Sequence, residues 1–218
     1  MTNITREVEK FLNSELAIQS CLVNRIINMT ALAKYISEKL NLEVSIDSII
    51  TAIRRYDAEC KFSKHNKTLK EVFKDTPIKT KTNLVTMDIR GRKNVHHCLK
   101  EINAIINLDK GDTLRLIKGS NYLRFITNAE NIKDVEDKIQ INKDMSQIND
   151  IVELSIMTNP NIDTNLTKGV MSKITNELAM NDINIFEIIF SNPYILIYVR
   201  KQDYMKAHQV LFNLSCNK

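Results

Sequence analysis

The second half of the chain contains one short pattern twice, and this repeat restricts the folds that the chain can adopt. SNYLRFI begins at residue 120 and SNPYILIYV begins at residue 191. Both segments start with Ser-Asn, reach a Tyr and then alternate apolar residues, which predicts a strand with one buried face. Two matching strands in one chain indicate a duplicated structural unit.

The segments around the two strands match as well. LVTMDI (84–89) and IVELSI (151–156) alternate apolar residues and predict strands. NVHHCLKEINAII and GVMSKITNELA have apolar residues at helical spacing, and so do NIKDVEDKI and QDYMKAHQVL. Further strands are predicted at DTLRLIK (112–118), INIFEIIF (183–190) and MSQIN (145–149). The order strand, helix, strand, strand, helix predicts two ferredoxin-like βαββαβ units.

The second unit resembles an ACT domain, in particular the regulatory type found at the end of aspartate kinases. Gly169 followed by Val170 matches the glycine and apolar residue that open the family's first helix. The run INI at 183–185 matches its second strand, and the D…A…L spacing at 203, 207 and 211 matches its second helix. The resemblance covers residues 150–214, and more loosely residues 82–149, where IRGRKNVHHC contains the glycine.

The resemblance implies that paired ACT-like domains bind an amino acid near the loop after the first strand and against the second strand. The N–H groups at a helix N-terminus suit a carboxylate, and a nearby acid or amide suits an ammonium group. The same residue types also cap helices and form turns, and this alternative stays open. The implied ligand residues are Asn159, Asp163, Asn165, Thr167, Gly169, Val170, Asn184, Ile185, Gly91 and Asn94.

Three helices are predicted in residues 14–56. SELAIQSCLVNRIIN is apolar almost all round, as expected of a central packed helix. TALAKYISEKL begins at Thr30, and SIDSIITAIRRY begins at Ser45, both suitable N-cap residues. The apolar stripe of the third helix leaves a free face with hydroxyl and arginine side chains.

This three-helix region resembles a helix-turn-helix, with NMTALAKYI as the second helix. The resemblance implies that the third helix enters the major groove of DNA. Residues 54–81 hold nine Lys/Arg against four Asp/Glu, and a local basic stripe suits a polyanion. A solvated linker and a protein-binding helical module are the alternatives. The predicted DNA-binding residues are Ser48, Thr51, Arg54, Arg55, Lys61, Lys64 and Lys67.

The chain is therefore predicted to be an α+β protein in four parts. These parts are an all-α, helix-turn-helix-like domain at 1–60, a basic linker at 61–81, and ACT-like domains at 82–149 and 150–218. The 218 residues, 43% of them hydrophobic, suffice for such cores. No stretch approaches the roughly 18 apolar residues of a membrane span, and the N-terminus lacks a signal pattern, so a cytoplasmic protein is expected.

Catalytic and metal-binding patterns are not evident. His96, His97 and Cys98 are consecutive, and helical neighbours point about 100° apart, so they cannot converge on one metal ion. Nucleophile-elbow, phosphate-loop and dinucleotide-binding motifs are absent from the sequence. The four cysteines are far apart and are expected to be free thiols. We expect a protein that is not an enzyme and that uses no cofactor.

The expected function is a homodimeric, DNA-binding transcription regulator whose ACT-like pair senses an amino acid or another small metabolite. A regulatory subunit that binds a metabolic enzyme is one alternative. A ligand-free scaffold, in which the ACT-like pair only dimerises, is another.

Overall fold

The computed structural model describes residues 4–56, 69–139 and 145–216. The chain forms two compact units, Met1–Glu71 and Val72–Lys218, which are called unit 1 and unit 2. Within the described residues, no helix is long and apolar enough to cross a membrane.

Unit 1 is helical. Its helices are α1 (Ile4–Ser14), α2 (Leu16–Val23), α3 (Met29–Leu40) and α4 (Ile46–Arg55). Helices α1, α3 and α4 supply the buried core, and α1 also contacts α2. The core residues are Val8, Leu12, Leu32, Ala33, Ile36, Ile49, Ala52 and Ile53.

The three helices predicted in residues 14–56 are present as α2, α3 and α4, and α1 precedes them. The segment predicted as one long helix over 14–28 leaves the helical conformation after Val23. Arg25 adopts a left-handed backbone with φ of 57°, and the N–H of Ile26 donates back to the Cys21 carbonyl. Such a left-handed residue ends a helix. Residues 69–73 are also helical, within the segment TLKEVFKD.

The helix caps confirm one of two predictions. Ser45 caps α4, and its side chain accepts a hydrogen bond from the N–H of Ser48. The predicted cap Thr30 is wrong, because Asn28 caps α3 instead. The Asn28 side-chain oxygen accepts the N–H groups of Thr30 and Ala31 at 3.0 Å each, which places Thr30 inside the first turn.

Unit 2 is a six-stranded antiparallel sheet with helices. In chain order the elements are β1 (Ile78–Arg90), α5 (Arg92–Ile105), β2 (Arg115–Lys118), β3 (Tyr122–Asn128), α6 (Ile132–Ile139), β4 (Met145–Met157), α7 (Val170–Met180), β5 (Glu187–Ser191), β6 (Tyr194–Arg200) and α8 (Tyr204–Cys216). The strands lie in the order β2-β3-β1-β4-β6-β5. The order strand, helix, strand, strand, helix occurs twice, as the repeat predicted.

Strands β1 and β4 are longer than predicted, and each belongs to both halves of the sheet. Residues 84–90 of β1 pair with β3, whereas residues 78–81 pair with residues 153–156 of β4. In β4, residues 151–157 pair with β6, whereas residues 145–148 pair with residues 86–89 of β1. The boundaries predicted at 81/82 and 149/150 therefore fall inside strands.

A bend separates the two parts of each long strand. The pairing of β1 with β4 shifts register around Leu84, and Asn83 and Asp150 both have a φ of 59°. Such irregularities bend a strand and re-aim its side chains. The first half-sheet comprises β2, β3, residues 84–90 and residues 145–149. The second half-sheet comprises β5, β6, residues 151–157 and residues 78–81.

Helices cover one face of each half-sheet. Alternate residues of β1 and β3, including Met87 and Phe125, pack with Val95 and Ile102 of α5 and Val135 of α6. In the second half-sheet, α7 and α8 contact each other, and α8 contacts β1, β4 and β6. This is the helix arrangement that the apolar spacing predicted.

The opposite faces of the two half-sheets share a second core. Its buried residues are Leu84, Ile126, Ile151 and Tyr198, which come from β1, β3, β4 and β6. Strands β3 and β5 are four positions apart in the sheet, so about 19 Å would separate them if it were flat. An ion pair between Arg124 and Glu187 nevertheless joins them. The sheet therefore folds back at the two bends, and the half-sheets face each other.

Candidate functional site

A cavity of about 730 Å³ lies where β1 ends, α5 begins and β3 starts. The strand register places Asp88 beside Arg124 and Arg90 beside Tyr122. Four charged or amide side chains, one glycine and one tyrosine thus converge on the same depression. Its lining residues are Asp88, Arg90, Gly91, Asn121, Tyr122 and Arg124. This group is called the α5 pocket.

Gly91 forms the turn from β1 into α5. Its φ of 97° is a conformation that favours glycine, and its N–H donates to the Asn121 carbonyl at 2.8 Å. Gly91 is also the N-cap residue of α5. The positive end of the helix dipole therefore lies at the pocket.

Arg124 carries the strongest polar contacts of the α5 pocket. Its Nε and Nη2 donate to the two carboxylate oxygens of Asp88 at 2.6 and 2.8 Å, and its Nη1 donates to Glu187 Oε2 at 2.7 Å. The guanidinium also lies 5.6 Å from the ring centroid of Phe186. Hydrogen bonding to Asp88, and then to Glu187, raises the pKa of Arg124 above its ordinary value. Arg124 is therefore permanently charged. Asp88, Arg124 and Glu187 together carry one net negative charge.

Tyr122 provides an apolar wall that is partly open to solvent. Its side chain is 47% exposed. The ring lies against Gly119, where a Cβ atom would overlap the aromatic carbons. The absence of a side chain at Gly119 therefore lets the Tyr122 ring take this position.

The predicted ligand loop of the second ACT-like repeat, residues 159–169, makes hydrogen bonds to other protein groups. Asp163 Oδ1 accepts the N–H of Asn165, and the Asp163 carbonyl accepts the Thr167 hydroxyl at 3.0 Å. Asn159 Oδ1 accepts the N–H of Asn161. The hydroxyl of Thr164 donates to Asn192 Oδ1 at 2.6 Å. The contacts of Asp163 and Asn159 are turn contacts, which was the open alternative for the loop, whereas Thr164 joins the loop to Asn192 after β5.

The remaining predicted ligand residues are dispersed. Gly169, with φ of 81°, is the N-cap residue of α7, and Val170 is buried at its start. Asn184 is exposed and Ile185 is partly buried before β5. Asn94 lies in α5, and Gly91 lines the α5 pocket.

The predictions missed Asp88, Asn121, Tyr122 and Arg124. Asp88 and Arg124 occupy positions on the face of the strands opposite to the helices. A sequence signal for them exists, because each is a charged residue inside an otherwise apolar alternating strand. The partner Glu187 has the same signal in INIFEIIF, but its contact with Arg124 was not predictable, since this contact depends on the folding back of the sheet.

The residues predicted to bind DNA are partly described. Ser48, Thr51, Arg54 and Arg55 are exposed on α4. The Ser48 hydroxyl contacts Ser45 Oγ at 2.8 Å, and the Thr51 hydroxyl donates to the Asp47 carbonyl at 2.9 Å. The two arginines lie in the last turn of the helix. Lys61, Lys64 and Lys67 lie outside the described residues.

In the part of the chain that the structure describes, no three His, Cys, Asp or Glu side chains are grouped to hold a metal ion. Cys21, Cys98 and Cys216 are free thiols there. Cys98 is fully buried under the first half-sheet, and this burial raises the pKa of its thiol.

Comparison with known proteins gives a fold but no family assignment. No family model and no curated protein matches the chain. The aspartate kinase of Clostridium acetobutylicum matches 65% of this chain with 16% identity and a TM-score of 0.52, over 34% of its own length. The ligand-free regulatory subunit of aspartate kinase from Thermus thermophilus matches 66% with 15% identity and a TM-score of 0.51, over 97% of its length.

Escherichia coli aspartokinase III, in complex with aspartate and ADP, matches 65% of this chain with 8% identity and a TM-score of 0.51, over 34% of its length. The chain thus spans about a third of the length of the two whole kinases. The strand and helix order of unit 2 is also the order that the ACT resemblance predicted. The matched part of the chain therefore has the fold of the regulatory domains of aspartate kinases, which is the ACT-like fold.

Proposed function

We propose that this chain is a ligand-responsive regulatory protein in which unit 2, as a tandem pair of ACT-like domains, senses an amino acid or a related metabolite. The α5 pocket carries the proposal. It combines charges of both signs, an aromatic wall and a helix N-terminus at the first turn of an ACT-like fold. The matched Thermus thermophilus protein is a regulatory subunit, which supports a regulatory role.

The lining suits a zwitterion. Asp88, Arg124 and Glu187 together have one carboxylate in excess, which favours an ammonium group. Arg90 and the N–H groups at the start of α5 favour a carboxylate. An amino acid has both groups on one carbon atom. The loop at 159–169 is proposed as the corresponding contact region in the second ACT-like repeat.

Unit 1 is proposed to bind DNA through α4. Support comes from the exposed face of this helix, which presents Arg54 and Arg55 after the hydroxyls of Ser48 and Thr51. Arginine suits both guanine edges and phosphates. In a homodimer, a ligand that favours one arrangement of the units would change the spacing of two DNA-binding helices.

One observation favours a second candidate function, the regulatory subunit of a metabolic enzyme. The Thermus thermophilus regulatory subunit is matched over 97% of its length, so this fold occurs as a separate subunit. In that case the helices of unit 1 dock on the enzyme rather than on DNA.

The sensor proposal is tested by thermal unfolding of the full chain with each of the twenty amino acids. A ligand at about 100 times its Kd adds about 2.7 kcal/mol to the free energy of unfolding. Arg90→Gln should abolish the shift, whereas Lys118→Gln, an exposed change outside the α5 pocket, should leave it intact. No shift with any amino acid at millimolar concentration would contradict the amino-acid sensor and favour the scaffold.

The DNA proposal is tested by fluorescence anisotropy with random-sequence and genomic duplexes over a range of salt concentrations. Affinity should fall steeply with salt, and Arg54→Ala combined with Arg55→Ala should weaken it. Lys10→Ala, an exposed change on α1, is the matched control. Equal affinity of the double variant and the control would remove α4 as the DNA-binding helix. No binding at low salt would favour the enzyme partner.

A further inference from the structure

We propose a second ligand site, for a small anion, at the bend of β4. A cavity of about 760 Å³ lies between this bend and the end of β6. It shares no lining residue with the α5 pocket, and it does not depend on the function proposed above. The lining residues are Gln147, Ile148, Asn149, Asp150, Arg200, Lys201 and Gln202. This group is called the bend site.

The bend site has an excess of positive charge. Among the described residues, Arg200 has no carboxylate partner: its Nη1 donates to the Asn149 carbonyl at 3.2 Å, and its guanidinium lies 5.6 Å from the Phe186 ring centroid. Lys201 Nζ is 4.0 Å from Asp150 Oδ1, with the two side chains 69% and 72% exposed. An ion pair with this exposure and this distance contributes little to stability. Most of the N–H donors of Arg200 therefore remain available to a ligand.

Neutral donors accompany these cations. Gln147 Nε2 donates to Asn149 Oδ1 at 2.6 Å, which leaves the Asn149 amide nitrogen able to donate elsewhere. Gln202 also lines the cavity. The backbone is fixed here, because the N–H of Lys201 donates to the Asp150 carbonyl at 2.8 Å and Asp150 holds its left-handed conformation. A fixed site loses less entropy when it binds a ligand.

The first half-sheet provides an internal comparison. Asn128 pairs with Leu84 in the first half-sheet, and Arg200 pairs with Ile151 in the second. Asn128 is therefore the counterpart of Arg200. Asn83 has the same φ of 59° as Asp150, so both bends have a left-handed residue at the same position. At the first bend, Asn83 Nδ2 donates to Glu130 Oε1 at 3.0 Å, and the residues after β3 are neutral or acidic.

The fold therefore requires a bend at this position but does not require basic residues beside it. Arg200 and Lys201 replace the Asn-Ala pair of the other copy. The change adds two positive charges to a surface depression, whereas Asp150 in place of Asn83 adds one exposed carboxylate, so the depression gains one net positive charge. A guanidinium beside amide donors suits the oxygen atoms of a carboxylate or a phosphate.

The test is titration of the ¹⁵N-labelled full chain with inorganic phosphate and, separately, with succinate, at constant ionic strength. Saturable amide shifts are expected at residues 149–150 and 200–202. Arg200→Gln should weaken the affinity by about tenfold or more, since a charged hydrogen bond is lost. Lys206→Gln removes one exposed charge from α8, outside the cavity, and should leave the affinity unchanged.

Two further variants keep the result decisive if Arg200→Gln perturbs the fold. Lys201→Gln should weaken binding by a smaller factor, and Asn149→Asp should abolish it by placing a carboxylate beside the anion. Saturation by phosphate alone identifies a phosphate group as the ligand class, and saturation by succinate alone identifies a carboxylate. Shifts that do not saturate, or equal affinities of Arg200→Gln and Lys206→Gln, would overturn the site.

Discussion

Arg124 on β3 and Glu187 on β5 form an ion pair with 2.7 Å between Nη1 and Oε2, although four strand positions separate their strands. Arg124 also lines the α5 pocket. One side chain thus joins the pocket of the first half-sheet to the edge strand of the second. Removal of this side chain should therefore affect the stability of the whole of unit 2.

Arg124→Gln should lower the free energy of unfolding by about 2–3 kcal/mol, because it leaves two half-buried carboxylates without their cation. The side chains of Asp88 and Glu187 are 19% and 22% exposed. Urea denaturation measures the change. The matched control is Lys173→Gln, whose pair with Glu177 is exposed on α7 and is worth no more than about 0.5 kcal/mol. Equal losses in the two variants would contradict a structural role of the cross-sheet pair.

Tyr198→Phe should destabilise unit 2 by about 1–2 kcal/mol at neutral pH. The Tyr198 hydroxyl donates to Glu153 Oε2 at 2.5 Å, and both residues are buried. The variant keeps the ring but removes the hydroxyl that donates to Glu153. The ion pair between Glu153 and Arg115 stays in place. Urea denaturation at neutral pH gives the value. No loss of stability would mean that water or Arg115 compensates fully for the hydroxyl.

The same pair predicts a pH dependence. Burial, and then the charge of Glu153, raises the pKa of Tyr198 above the value of about 10 found in unfolded chains. The stabilising contribution is complete below pH 10. As the pH rises further, the unfolded chain loses the proton while the folded chain keeps it, so stability falls by about 1.4 kcal/mol per pH unit.

The check is the difference in the free energy of unfolding between the natural protein and Tyr198→Phe. This difference should be constant from neutral pH to about pH 10 and should shrink above it. Lysines and other tyrosines titrate in the same range, but they are common to both proteins. A difference that stays constant above pH 10 would show that the phenol titrates normally in the folded protein.

Gly119→Ala should move the Tyr122 ring out of its position in the α5 pocket, because the new Cβ overlaps it. The affinity for any amino acid that stabilises the protein should then fall by about fivefold, or about 1 kcal/mol. Gly111→Ala is the matched control. A Cβ there meets no atom within 4 Å, but φ is +92°, so stability falls and ligand affinity does not. Equal ligand affinity in both variants would remove Tyr122 from the site.

Cys98 should resist alkylation by N-ethylmaleimide in the folded protein. It is fully buried with a raised pKa, and the thiolate is the reactive form. Cys216 is exposed and should react first. Peptide mass spectrometry resolves the two, and reaction in denaturant should label both. Fast labelling of Cys98 under native conditions would contradict the packing of α5 against the first half-sheet.

The strand and helix order of unit 2 was predictable because its elements have clear apolar periods. Met87 and Ile89, for example, alternate with polar neighbours, and both lie in the core under α5. The start of β1 was not predictable in this way. Residues 79–83 are exposed, so their lysines and threonines have the composition of a linker. Backbone pairing with β4, rather than apolar burial, makes residues 78–81 a strand.

The candidate site was predictable only at Arg90 and Gly91, in the loop RGRKN. The ACT resemblance placed a ligand loop there, and a positive φ at a strand-to-helix turn requires a residue such as glycine. Asp88 and Arg124 stand out as charged residues inside strands, but the pairing of Arg124 with Glu187 was not predictable, because these two residues are 63 positions apart in sequence. Their contact depends on the bends at Asn83 and Asp150, and neither bend has a glycine to mark it.

The exchange of strand segments between the half-sheets has a consequence for how unit 2 folds. Residues 78–81 pair with residues 153–156, so their partner strand is synthesised only after nearly a whole repeat. Residues 145–149 complete a half-sheet that began with β1. Such distant pairings raise the contact order and slow folding. A fragment that contained one repeat alone would keep an unpaired strand edge, which is an aggregation hazard. Unit 2 is therefore expected to be expressed, to melt and to be degraded as one cooperative body.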